Sequence, residues 1–99
     1  MNWKERIQRA NRIGYFTTED ISLSMDWTTC AVGELDVDYS LLDNDNQDKY
    51  DNQVVILENL HNMGMEFYKQ VILNNIDKTK AIYDLIQIEY HKYLKVEGK

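Results

Sequence analysis

Residues 52–96 read NQVVILENLHNMGMEFYKQVILNNIDKTKAIYDLIQIEYHKYLKV, and the spacing of their apolar side chains decides the fold class. Leu57, Leu60, Gly64, Phe67 and Val71 recur every three or four residues and form one helical seam, flanked by Ile56, Met63, Tyr68 and Ile72. Asn74-Asn75-Ile76-Asp77 interrupts the pattern, and Asp77 is placed to cap a last helix ending near Leu94 or Val96. That helix presents Ile82, Ile86 and Tyr93, bordered by Tyr83, Leu85 and Tyr90. With the break, the two helices make an antiparallel hairpin; without it, 52–96 is one rod whose seam only a second copy could cover. Gly64 costs about 1 kcal/mol in mid-helix, so it marks a bend or a place where another helix packs against backbone.

Toward the N-terminus, Asn2 and Glu5 have capping-box spacing and Trp3, Ile7, Ala10 and Ile13 follow at helical intervals, which predicts a first helix over about 3–13. Gly14 stops it in the left-handed conformation, and Tyr15-Phe16 folds back as an apolar plug. Thr17 and Asp20 form a second capping box, so the next helix starts near Thr18, with its core side chains expected at Ile21, Met25, Thr28 and Cys30 or Ala31. Leu23 and Trp27 lie on a neighbouring face, and Gly33 is the expected terminator. Residues 1–33 thus read as a helical pair. The second helix is acidic rather than basic, which argues against a DNA-reading helix-turn-helix.

Between the pair and the hairpin, Leu35 to Tyr39 alternates like a strand, yet Leu35, Tyr39 and Leu42 also fit a helical stripe. Asp43-Asn44-Asp45-Asn46-Gln47-Asp48 lacks apolar residues and reads as an exposed loop. The chain is therefore expected to be one all-α domain over 1–99: a small bundle of about four helices, with 1–33 as the pair, 34–51 as an acidic linker carrying at most one short strand-like segment, and 52–99 as the long hairpin.

The 99 residues are 43% hydrophobic and contain no proline, enough for one folded unit with a modest core. The net charge of −6 is concentrated. Acidic and basic residues balance within 1–33 and within 52–99, whereas Glu34, Asp36, Asp38, Asp43, Asp45, Asp48 and Asp51 face only Lys49 between them. Such a block repels nucleic acid and anionic membranes within about one Debye length, roughly 8–10 Å, and attracts a basic protein surface. Neither a hydrophobic run of membrane-spanning length nor a secretory layout at the N-terminus is present, and the single Cys30 forms no internal disulfide, so a cytoplasmic location is expected.

Candidate chemistry is sparse. Cys30, His61 and His91 are far apart in sequence and show no metal-ligand spacing. Asp43, Asp45 and Gln47 resemble the start of an EF-hand loop, but Asp48 stands where glycine is needed and Val54 where the bidentate glutamate is needed. No phosphate-binding glycine run or catalytic motif is found, so neither enzymatic activity nor a cofactor is expected. The expected function is non-enzymatic protein recognition or assembly. Its partner-binding residues are Asp36, Asp38, Asp43, Asp45, Asp48 and Asp51 of the acidic segment with Tyr68, Tyr83, Tyr90 and Tyr93 of the hairpin, since tyrosine buries a large ring while its hydroxyl finds a polar partner. The expected partner is a basic protein surface, with a homodimer as the other use of the aromatic face and neither nucleic acid nor membrane as a direct ligand. Two alternatives accompany this reading: an inhibitor whose carboxylates imitate nucleic-acid phosphate toward a nuclease or similar protein, and a small enzyme or metal-binding protein.

Overall fold

The computed structural model describes residues 2–40 and 47–96, with side chains for 2–29, 51–93 and 95. Four helices make up these residues: α1 (Trp3–Ile13), α2 (Thr18–Ser40), α3 (Gln47–Ile72) and α4 (Ile76–Val96). The all-α bundle expected from the periodicity is what the chain forms.

Local chemistry sets most helix ends. The Glu5 amide donates to Asn2 Oδ1 at 2.9 Å, and Gly14 closes α1 at φ 90°, donating to the Ala10 carbonyl. At the start of α2 the Thr17 amide donates to Asp20 Oδ2 at 3.0 Å while the Asp20 amide donates to Thr17 Oγ1 at 3.2 Å, a reciprocal capping box. The hairpin break is real. Leu73–Asn75 separates α3 from α4, and Asn74 turns the chain at φ 56°. The cap of α4 is Asn75, whose Oδ1 accepts the Lys78 amide at 3.2 Å, rather than Asp77, which lies one residue inside the helix.

Two boundaries differ from the sequence expectation. Gly33 does not end α2, which continues to Ser40 and makes Leu35–Tyr39 helical rather than strand-like. A glycine stops a helix when it turns left-handed, and α2 packs along α3, which supports helix where propensity alone is weak. Likewise α3 begins at Gln47, five residues before the start near Asn52 that the sequence pattern suggests, so Gln47 and Asp48 belong to helix and not to the loop. A carboxylate near a helix start is favourable to the dipole, and no glycine or proline opposes helix there. Residues 41–46, which carry the rest of the expected loop with Leu42, Asp43 and Asp45, lie outside the described residues.

α2 and α4 both pack along α3, and the short α1 packs on α4 at one end. The bundle measures 50 × 20 × 19 Å. Its core is Trp3, Ile7, Ala10, Phe16, Ile56, Leu57, Leu60, Phe67, Val71, Ile86 and Tyr93. The α3 seam is buried as its spacing requires, with Thr28 Cγ2 of α2 resting 3.6 Å from where a Cβ of Gly64 would stand. Among the described side chains of α2, up to residue 29, the buried stripe is polar: Asp20, Ser24 and Thr28, at intervals of four. Thr28 Oγ1 donates to the Gly64 carbonyl at 3.3 Å and Ser24 Oγ to the Ile21 carbonyl at 2.9 Å, so these groups are satisfied inside. Met25, expected in the core, is 54% exposed as a result, and Ile21 is only half-buried. Cys30 and Ala31 have no described side chains.

Candidate functional site

One ring from each helix meets at the middle of the bundle. Phe67 of α3, fully buried, lies edge-on to Trp3 of α1 at 5.0 Å between centroids, against Trp27 of α2 at 4.8 Å and against Tyr83 of α4 at 6.3 Å. Trp3 and Trp27 also touch, at 6.5 Å and 59°. Such tilted and edge-to-face pairs add about 0.5–1.5 kcal/mol each beyond area burial. This junction fixes the relative positions of all four helices.

Beside it sits a buried charge cluster. Asp20 is 0% exposed, and its carboxylate accepts from Arg6 Nη1 at 2.5 Å, from Arg9 Nη2 and from Thr17 Oγ1. Burial pushes the Asp20 carboxyl up, but the Thr17 amide and the Arg9 and Arg6 guanidinium groups together outweigh it and hold the carboxyl below the usual aspartate range. Arg6 also lies 5.9 Å over the Trp3 ring. Arg6 and Arg9, one turn apart on α1, thus clasp the first turn of α2. The cluster was readable in part, since Arg6 and Arg9 are three residues apart and Asp20 belongs to a capping box; that the two meet was not.

Past the junction, an open cleft of about 530 Å³ lies between α2 and α4, lined by Trp3, Leu23, Asp26, Trp27, Tyr83 and Gln87 with Asn2 and Arg6 at its edge. Of its residues, only Tyr83 was expected at a site. Leu23, Asp26 and Gln87 carried no signal in the sequence, because their proximity depends on how α2 and α4 pack.

The tyrosines do not form one patch. Tyr83 belongs to the junction and the cleft, and Tyr90, 45% exposed, stacks on Tyr93 at 6.5 Å. Tyr93 itself is 2% exposed and packs in the core. Tyr68 reaches α2 instead, its hydroxyl 3.8 Å from Met25 Sδ. Of the acidic candidates, Asp51 is exposed on α3, while the side chains of Asp36, Asp38, Asp43, Asp45 and Asp48 lie outside the described residues. Asp36, Asp38 and Asp48 nevertheless stand on helical backbone, at the end of α2 and the start of α3.

Charge is divided along the long axis. The Phe16 amide donates to Asn74 Oδ1 at 2.5 Å, which joins the α1–α2 corner to the α3–α4 turn at one end and leaves the end of α2, the start of α3 and the end of α4 at the other. On the corner side of the Thr28–Gly64 contact, residues 2–28 and 64–86 hold equal numbers of acidic and basic side chains. The whole formal −6 therefore belongs to the stretches 29–63 and 87–99.

Among the described residues, no three His, Cys, Asp or Glu side chains gather to hold a metal ion, and no helix is long and apolar enough to cross a membrane. No protein-family model, curated protein or solved structure matches the chain.

Proposed function

We propose that this helical bundle is a non-catalytic recognition module whose acidic end engages a basic protein surface. The observation that carries the reading is the path of the chain: the corner half is neutral, and the end of α2, the start of α3 and the end of α4, which hold −4 of the formal −6 between them, lie away from the corner in a bundle 50 Å long. A field of one sign steers a basic partner into encounter and selects against acidic ones, while apolar contacts supply most of the affinity. Exposed Tyr90, Ile88 and Val55 lie on α3 and α4 within the same half.

The test is neutralisation. Asp43, Asp45, Asp48 and Asp51 are changed together to Asn, and partners are captured from the native cell at low and high salt, alongside light scattering of the free protein. The variant should capture the partner more weakly, and the loss of binding with salt should flatten. Affinity and salt slope equal to wild type would remove the acidic end from recognition.

A further inference from the structure

The outer edge of the α2–α3 contact is apolar and open. Thr28 meets Gly64 and, about one turn back along α2, Met25 meets Tyr68, so the two helices run antiparallel in a register that sets Ile21 beside Ile72. On α3, Met65, Tyr68 and Ile72 follow at spacings of three and four on one face, and on α2 Ile21 and Met25 are four apart. Met25 and Met65 are each 54% exposed and Ile72 44%, with Ile21 and Tyr68 half-buried beside them. The rim on α2 is Thr18, Ser22 and Thr29, all exposed and none charged. Every one of these side chains is described. Five large side chains in one strip leave roughly 400 Å² of apolar surface, in the range of about 300–600 Å² found for the largest patch on a monomer, often a functional one.

We infer that this strip is the interface of a homodimer, in which two copies pack their α2–α3 faces together, antiparallel, about a two-fold axis through the Met25–Tyr68 contact. Charge selects both the occupant and its direction. A chain of net charge −6 meets its own copy without repulsion only where its surface is neutral. The strip contains no charged residue, and the half of the bundle around it, residues 2–28 and 64–86, is balanced. Parallel copies would bring the negative stretches 34–38 and 48–51 of one chain against those of the other, whereas antiparallel copies send them in opposite directions. From Tyr68 back to Gln47 α3 rises about 30 Å, so those ends stand about 60 Å apart in the dimer, several times the Debye length of about 8 Å. Area agrees with a second copy. With Thr18, Ser22, Thr29 and Lys69 as its rim, the face comes to about 700 Å² per chain, close to the roughly 800 Å² per partner of a standard interface. A two-fold contact sets like side chains near one another, and the flexible thioethers of Met25 and Met65 can fill the gaps between them. Tyr68, at the centre, buries its ring there. Both acidic ends stay free, so the dimer goes beyond the recognition role and does not depend on it.

Sedimentation equilibrium and small-angle X-ray scattering of the full chain test the dimer. A monomer–dimer equilibrium is expected with a dissociation constant on the order of micromolar, the weak end for an interface of this size. The longest dimension of the dimer should exceed the 50 Å of one chain. Met25→Lys and Met65→Lys, both at exposed positions, should each weaken dimerisation by about tenfold or more with unchanged circular dichroism, because each places a charge in the contact twice. Val55→Lys and Leu85→Lys, at exposed apolar positions off the strip, should leave it unchanged. Neutralising Asp43, Asp45, Asp48 and Asp51 should also keep the dimer while weakening partner capture, so the two roles fail separately. A monomer at every concentration up to about 1 mM overturns the inference. So does a dimer that both methionine variants keep intact, one that Val55→Lys, Leu85→Lys or the neutralised variant abolishes, or one no longer than a single chain, which would be parallel.

Discussion

Replacing Asp20 with Asn isolates the charge of the buried cluster, because Asn keeps the shape and can still accept the Thr17 amide. Two guanidinium groups then remain against a neutral side chain. Removing one partner of a buried ion pair costs about 3–5 kcal/mol. Here the lower figure applies, since the Arg6 and Arg9 side chains are 13% and 25% exposed and water takes up part of the uncompensated charge. A loss of about 3 kcal/mol is a large share of the roughly 5–15 kcal/mol that stabilises a domain of this size. Urea unfolding at pH 7, followed by circular dichroism, should show a midpoint lower by about 1.5 M for a slope near 2 kcal/mol per molar. Thr17→Ala, which removes only the capping hydroxyl, should cost about 1 kcal/mol. The pH dependence has a definite sign. The folded carboxyl lies below its ordinary value, so its contribution is complete above the unfolded aspartate value of about 3.9 and is lost as pH falls through the folded value. The gap between wild type and variant should therefore close below about pH 4. A loss under about 1 kcal/mol at pH 7, or a gap that persists in acid, would refute the account of Asp20 as a charged clasp between α1 and α2.

Three further changes test the packing. Gly64→Ala should stabilise by up to about 1 kcal/mol and raise the melting temperature by about 4–8 °C, because the added methyl meets Thr28 Cγ2 at an ordinary 3.6 Å while the helix gains propensity; differential scanning calorimetry checks it. Phe67→Ala should cost about 3–5 kcal/mol and red-shift tryptophan emission, since both tryptophans pack on that ring. Asn74→Ala should cost about 2 kcal/mol in chemical denaturation, from a side chain less tolerant of φ 56° and from the lost acceptor of the Phe16 amide.

What the sequence disclosed follows from which forces are local. Asn2, Gly14 and the Thr17–Asp20 box act on their own backbone, and the structure uses all of them. The α3 seam and Ile86 with Tyr93 were equally legible, because a helix that buries one face repeats its apolar residues every three or four positions. The same rule hid α2. Its described buried stripe is Asp20, Ser24 and Thr28, made tolerable by Arg6, Arg9 and the Gly64 carbonyl from other segments as well as by Thr17 and the Ile21 carbonyl close by. Gln53, Gln70 and Thr79 are buried as well, and polar side chains at such positions carry no hydrophobic signal. Asn75 displaced Asp77 as the cap because the left-handed Asn74 ends the turn one residue before α4 begins. For the candidate site, the charge excess could be summed from composition, whereas the cleft depends on how α1, α2 and α4 pack.

The bond between the amide of buried Phe16 and Oδ1 of exposed Asn74 spans 58 residues. Because its partners come from the α1–α2 corner and the α3–α4 turn, the bond holds only while those two segments stay in contact. Isotope uptake at the Phe16 amide should therefore report separation of the corner from the turn, a readout of docking between the two halves of the chain from a single resonance.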